Sequence, residues 1–228
     1  MSERLEAIAD GVWVAPAPLR FMGVFAIGTR MTVIRTGGGL VVHSPIAIDD
    51  ELKTAIDALG PVRFVVAPNA FHHLFAGDAA KAWPDAKLLA PAALRTKRKD
   101  LHIEDDLESG PPAAWGGDLQ TFPVRGSMLN ETVLFHAPTK TLVASDLFEN
   151  FTHVEHAFTR QYLKLGGVYG KPGWHRFLRF VYRDRAAAKT SIERLLDLDL
   201  ERIVIAHGDL VTTKPKDTMR EALAFLLA

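Results

Sequence analysis

The sequence predicts an α/β protein in which helices pack against mixed β-sheet. Three observations carry that reading. The stretches "VRFVVAP", "DAAKAWP" and "AKLLAP" alternate strand, helix and strand between residues 62 and 91. A second group of apolar runs, "LQTFPVR", "ETVLFHAP" and "TLVASD", follows after residue 118. Two segments near the end of the chain, "RFLRFVYRDRAAAKTSIERLLDL" and "KPKDTMREALAFLLA", carry apolar residues at helical spacing.

Taken in order, "GVWVAPAP", "FAIGTRMTVIRT" and "GLVVHSP" read as strands, with Gly37–Gly39 allowing a turn between the last two. Neither a Lys-Ser/Thr pair nor a helix follows these glycines, so they form no phosphate cradle. "AIDDELKTAIDALG" has a helical period, acidic residues early and Gly60 at its end. Residues 92–118 read as polar and irregular, and "HAPTK" as a hairpin turn at 138–140. Residues 147–175 are mixed, with "LGGVYGKPGWH" a loop that could wall a pocket. The run around Trp174, Phe177, Phe180 and Tyr182 reads as core packing. "RIVIAHGD" is a buried strand ending on a histidine, and the last helix starts with Pro in its first turn. With neither a repeat nor a linker in evidence, the expectation is one domain spanning residues 1–228.

Composition narrows function. Hydrophobic residues make up 48% of the 228 and charged residues 24%, an ordinary globular balance. The formal net charge is zero, which removes any broad electrostatic case for nucleic acid or an anionic membrane. "LRTKRKD" reads as a solvated helix face. No apolar run approaches the roughly 20 residues of a spanning helix, and the charged opening "MSERLEAIAD" has no secretory h-region. The expected compartment is the cytoplasm and the expected partner a small-molecule substrate. The chain contains no cysteine, so a metal would have to be held by His, Asp or Glu.

Such residues gather at strand ends. "VVAPNAFHH" delivers His72 and His73, "TLVASD" delivers Asp146, "RIVIAHGD" delivers His207, and "GLVVHSP" delivers His43. Loops beyond strand ends are where sites form on sheets flanked by helices. Imidazole and carboxylate suit zinc, iron or manganese, and three protein ligands leave a position open for water. A lone histidine or aspartate at such a place is more often a hydrogen-bonded structural residue, so the metal reading needs them all at one edge. Adjacent residues point to opposite faces of a strand, so His72 and His73 can both contribute only from a loop. His153 and His156 in "THVEH" have the spacing of one helical face, and His136 reads as structural.

The order of these segments resembles the metallo-β-lactamase fold superfamily, from about Gly11 to His207, and most closely a branch without assigned activity. The family's HxHxDH motif, laid on "NAFHHLFAG", puts its histidines on Asn69, Phe71 and Leu74 and its aspartate on His73. The next family histidine falls on Ser127, the bridging aspartate on Asp146 in "TKTLVASD", the final histidine on His207 in "IVIAHGD", and an early aspartate on His43. The resemblance implies a four-layer αββα sandwich with the site at one edge. It also implies a degenerate centre, since Phe cannot ligate and Asn or Ser are poor zinc ligands. The expected remnant is mononuclear: His73, Asp146 and His207, with His72 as a further ligand and His43 or His72 moving protons. The expected cofactor is one divalent metal, zinc first, then iron or manganese. The expected activity is hydrolysis of a small ester, lactone or phosphoester. The alternatives are a binding protein that kept the fold without the chemistry, and iron-based redox chemistry.

Overall fold

A computed structural model describes residues 4–228. Residues 1–3, part of the expected domain and of its charged opening, lie outside the described residues.

The chain opens with β1 (Glu6–Ala9) and β2 (Val12–Ala17), then a small hairpin of β3 (Arg20–Phe21) and β4 (Phe25–Ala26). β5 (Thr29–Thr36), β6 (Gly39–His43), α1 (Asp50–Asp57), β7 (Val62–Val66), α2 (Ala76–Ala82), β8 (Lys87–Ala90), α3 (Ala92–Lys97) and β9 (Asp105–Asp106) complete the first half. The second half contains β10 (Leu119–Pro123), β11 (Thr132–His136), β12 (Thr141–Val143), β13 (Glu149–Asn150), α4 (Ala157–Gly166) and β14 (Pro172–Gly173). It ends with α5 (Arg185–Asp197), β15 (Arg202–Val204), α6 (Pro215–Ala222) and α7 (Ala224–Leu227). One sheet has the order β1-β2-β5-β6-β7-β8-β9 and the other β10-β11-β12-β15; β13 pairs with β14 alone.

Alternation along the strands builds the layers. Side chains in a strand point to opposite faces in turn. Val41 and Val66 therefore join Leu134, Val143 and Val204 in the core between the sheets. Their neighbours Val42 and Val65 face outward onto Leu52 and Ile56 of α1, while Leu142 and Ile203 face Ile192 and Leu195 of α5. Two sheets with helices on both outer faces make the αββα sandwich. The site follows from the parallel pairs β6–β7 and β12–β15. Parallel neighbours end together, so the segments after His43, Val66, Val143 and Val204 leave the sandwich at one edge.

Several local expectations are corrected. Residues 92–118 contain α3, in which Arg95 and Lys97 lie in the last turn. The helix expected from residue 176 begins only at Arg185, capped by Asp184, whose side chain accepts from the Ala187 amide. Residues 176–181 instead form a 3₁₀ helix. Its three-residue turn places Phe177 and Phe180 on one outward face, and they are 58% and 59% exposed, not core. Trp174 and Tyr182 are buried as expected. His153 and His156 share no helical face, because His156 is the N-cap of α4 and His153 precedes the helix. His136 is structural, its Nδ1 2.7 Å from Thr139 Oγ1.

Leu134 is fully buried in the core between the sheets. Leu134→Ala should lower unfolding free energy by about 2–5 kcal/mol, read from the urea midpoint at unchanged m-value.

Candidate metal centre

His72, Asp146 and His207 converge at the edge where the parallel strands end. Their donor atoms lie within 4.8 Å of one another, and among the described residues this is the one such group of three or more. Nε2 of His72 and Nε2 of His207 are each 3.4 Å from Asp146 Oδ1. The two nitrogens are 3.2 Å apart.

Each donor is held from behind. His207 Nδ1 donates to the Gly28 carbonyl at 2.8 Å, which orients the ring with Nε2 toward Asp146. His72 Nδ1 lies 2.7 Å from Ser44 Oγ. Donation from Nδ1–H to that oxygen orients the second Nε2 likewise. Ser44 has φ +51°, a left-handed conformation uncommon outside glycine, and it follows His43 at the end of β6. Asp146 Oδ2 accepts from Asn69 Nδ2 at 2.9 Å. Arg30 reaches across from β5 to the Ile205 and Gly208 carbonyls on either side of His207. Gly208 has φ +91°, and a Cβ there would lie 2.2 Å from the Asn150 carbonyl oxygen, so "AHGD" admits no other residue at that position without a shift.

The Asn69 side chain also decides which histidine faces the centre. Its Oδ1 accepts from the amides of Phe71 and His72, both at 2.8 Å, a tight Asx turn directly after β7. That turn sends His72 toward Asp146 and turns His73 away. His73 Nδ1 accepts from Arg98 at 3.0 Å, and Arg98 is itself held by Asp100. Of the four expected ligands, the structure brings His72, Asp146 and His207 together and does not place His73 with them. "NAFHHL" is a loop, but one too tight for neighbouring side chains to share a target.

His43, expected to move protons, lies off the cavity lining. It is fully buried, and its Nε2 has no hydrogen-bond partner. Burial, reinforced by nearby His72, pushes its pKa down to about 3.

Charge at the centre is divided among three carboxyls. Burial works against ionising Asp146, but His72 and His207 outweigh it and hold the carboxyl below its ordinary range. Burial opposes protonation of His207, and Asp146 and Glu149 overcome it, raising the imidazole. Burial and then the Asp146 charge push Glu131 up to about 8; burial first also carries Glu149 to about 7. Glu131 accepts the Ser145 amide at 2.6 Å and the Asp146 amide at 3.1 Å, pinning the backbone that carries the ligand aspartate. Neither glutamate was singled out from sequence. Glu131 sits beside a buried strand, where a charged residue ordinarily marks the solvated end, and only the approach of Asp146 reveals its role. Ser44 and Arg30 gave no signal for the same reason.

The donor set fits a divalent metal. Two imidazoles and a carboxylate are suitable ligands for zinc or iron, both rings have their far nitrogen occupied, and buried Glu149 Oε2 has no partner. Of the other motif positions, Phe71 is 58% exposed, Asn69 Oδ1 accepts the amides of the turn, and Ser127 Oγ accepts from the Leu129 amide.

A cavity of about 690 Å³ opens over the centre, lined by His72, Asp146, Glu149 and His207 at its polar end.

Comparison with known proteins agrees with this architecture. A family described as a domain of unknown function (DUF4336) matches residues 11–93. A search of curated protein sequences finds no match. Among solved structures, a metallo-β-lactamase from Pontibacter korlensis is similar at 15% identity, covering 96% of this chain and 98% of its own, with TM-score 0.67. One from Erythrobacter litoralis is 14% identical, with coverages of 97% and 96% and TM-score 0.67. FIM-1 from Pseudomonas aeruginosa, in its mono-zinc form, is 16% identical, with coverages of 98% and 96% and TM-score 0.62. The chain has the metallo-β-lactamase fold. On that fold, His72, Asp146 and His207 form a donor set suited to a metal. Among the described residues, no helix is long and apolar enough to cross a membrane.

The depressed pKa of His43 sets a pH dependence. An unfolded chain protonates this ring below pH 6.5 while the folded one resists until about 3. The stability involved is present above 6.5 and is lost as pH falls through that window. His43→Leu should therefore reduce the acid slope of unfolding free energy by about 1.4 kcal/mol per pH unit below 6, measured by urea titrations between pH 6 and 4.5.

Proposed function

We propose that residues 1–228 form one metallo-β-lactamase-like domain acting as a metal-dependent hydrolase. Its single divalent ion, zinc by preference and iron or manganese as alternatives, is held by His72, Asp146 and His207. The substrate is a small ester, lactone or phosphoester. The observation that carries the reading is the pair of Nε2 atoms turned on Asp146 Oδ1, with both Nδ1 atoms engaged behind them. Three protein donors leave one tetrahedral position open, as in catalytic zinc sites. FIM-1, described as a mono-zinc form, gives a precedent on this fold for a single ion.

Bound there, the ion would bring the pKa of water toward neutrality and polarise the scissile group. The chain's own residues supply the rest. Ser44 and the Gly28 carbonyl hold the imidazoles in the ligating tautomer, and Asn69 and Glu131 fix the carboxylate and its backbone. Glu149, near the polar end of the cavity, is a carboxyl poised near neutrality that can accept or return a proton. His72 is assigned as a ligand and not as a proton carrier.

A second reading, a binding protein that kept the fold without the chemistry, draws on Asn69, Phe71 and Ser127 standing where the family places histidines. Metal content separates the two. Protein purified from zinc-supplemented cells should carry one ion per chain by elemental analysis. His72→Ala, Asp146→Ala and His207→Ala should each abolish it, His73→Ala should retain it, and Ser44→Ala should weaken affinity about 10–100-fold. A metal-free wild-type protein, or loss in His73→Ala with retention in His72→Ala, would overturn the assignment.

A further inference from the structure

The exposed large hydrophobic residues are not spread evenly over the molecule. Of nine among the described residues, five line the cavity above the His/Asp/His cluster: Met22, Phe71, Leu74, Met128 and Phe180. Each is at least half exposed, from 51% for Met128 to 77% for Met22. They come from separate parts of the chain: the β3–β4 turn, the loop after β7, the segment before β11, and the 3₁₀ helix. Convergence of four remote segments on one apolar rim is costly to solubility and marks a place that something covers.

The shape says what. The residues surround a concavity of about 690 Å³, within the 300–1,000 Å³ span of small-molecule sites. Leu19, Ile27 and Leu178 add to the apolar lining, His72, Asp146, Glu149 and His207 supply polar groups at the cluster, and Arg20 and Lys97 are the cations of the wall. The β3–β4 hairpin forming one wall is fastened to α4, with the Phe25 ring stacked on Tyr162 at 4.1 Å and the Ala26 amide donating to Thr159 Oγ1. A flat protein or membrane contact needs no such depth, and a ligand without an apolar body would leave the rim wet.

We propose that this chamber binds the apolar body of an amphipathic carbonyl compound, an ester or lactone carrying an aliphatic chain or aromatic group, with its polar end at His72, Asp146 and His207. The assignment rests on the hydrolase reading for the chemistry but not for the binding, so the two can fail separately.

The test uses 1-butanol, 1-hexanol and 1-octanol as uncleavable probes, titrated calorimetrically into the full chain. Affinity should rise roughly three- to fourfold per added methylene. It should fall at least tenfold for octanol in Phe71→Ser and Phe180→Ser, whose exposed positions spare folding, and stay unchanged in Phe158→Ser, a more exposed phenylalanine outside the cavity. Absence of any chain-length dependence would overturn the proposal. So would rim variants that alter oligomeric state while octanol fails to bind wild type, because the patch would then join copies of the chain. In parallel, p-nitrophenyl octanoate should exceed the acetate at least tenfold in kcat/KM with the metal-loaded protein. Octanol binding without cleavage of either ester would sustain the chamber and remove the hydrolase reading. Preference for acetate would count against the chamber.

Discussion

A carboxylate taken out of water must be matched by positive charge close at hand, or the fold loses several kcal/mol. Asp146 has 13% of its side chain exposed and faces the nitrogens of two imidazoles. Much of the surrounding structure serves that arrangement. Asn69 gives the second oxygen a hydrogen bond, Glu131 fixes the supporting backbone, and Arg30 holds the loop beside His207. Ser44 and Gly28 then occupy the far sides of the rings. The two ring nitrogens, 3.2 Å apart and each 3.4 Å from the carboxylate oxygen, form a donor set that suits a divalent ion.

The legible part of this design was what depends on strand ends. Asp146 in "TLVASD" and His207 in "RIVIAHGD" each follow an apolar run, and parallel pairing brings the ends of β12 and β15 side by side. The choice between His72 and His73 was not legible, because it depends on hydrogen bonds from two amides to the Asn69 side chain. A turn of that tightness cannot be read from residue spacing. Periodicity misled in the segment from residue 176, where apolar residues suit an amphipathic α-helix equally well. A 3₁₀ helix intervenes before Asp184 caps α5, and the two phenylalanines emerge at the surface.

The motif and the apolar rim meet in one residue. Phe71 stands where the resemblance puts a metal-binding histidine, and its ring is part of the cavity lining. Asn69, at another such position, has become the hinge of the turn that presents His72. At the positions of the motif, His72 reaches Asp146 and His207, Asn69 holds the loop and Phe71 faces the cavity.

Anomalous diffraction from zinc-soaked crystals, recorded on both sides of the zinc edge, tests the central claim most directly. One peak is expected, within ligating distance of His72 Nε2, His207 Nε2 and Asp146. Lack of a peak there, or a peak at His73, would contradict it.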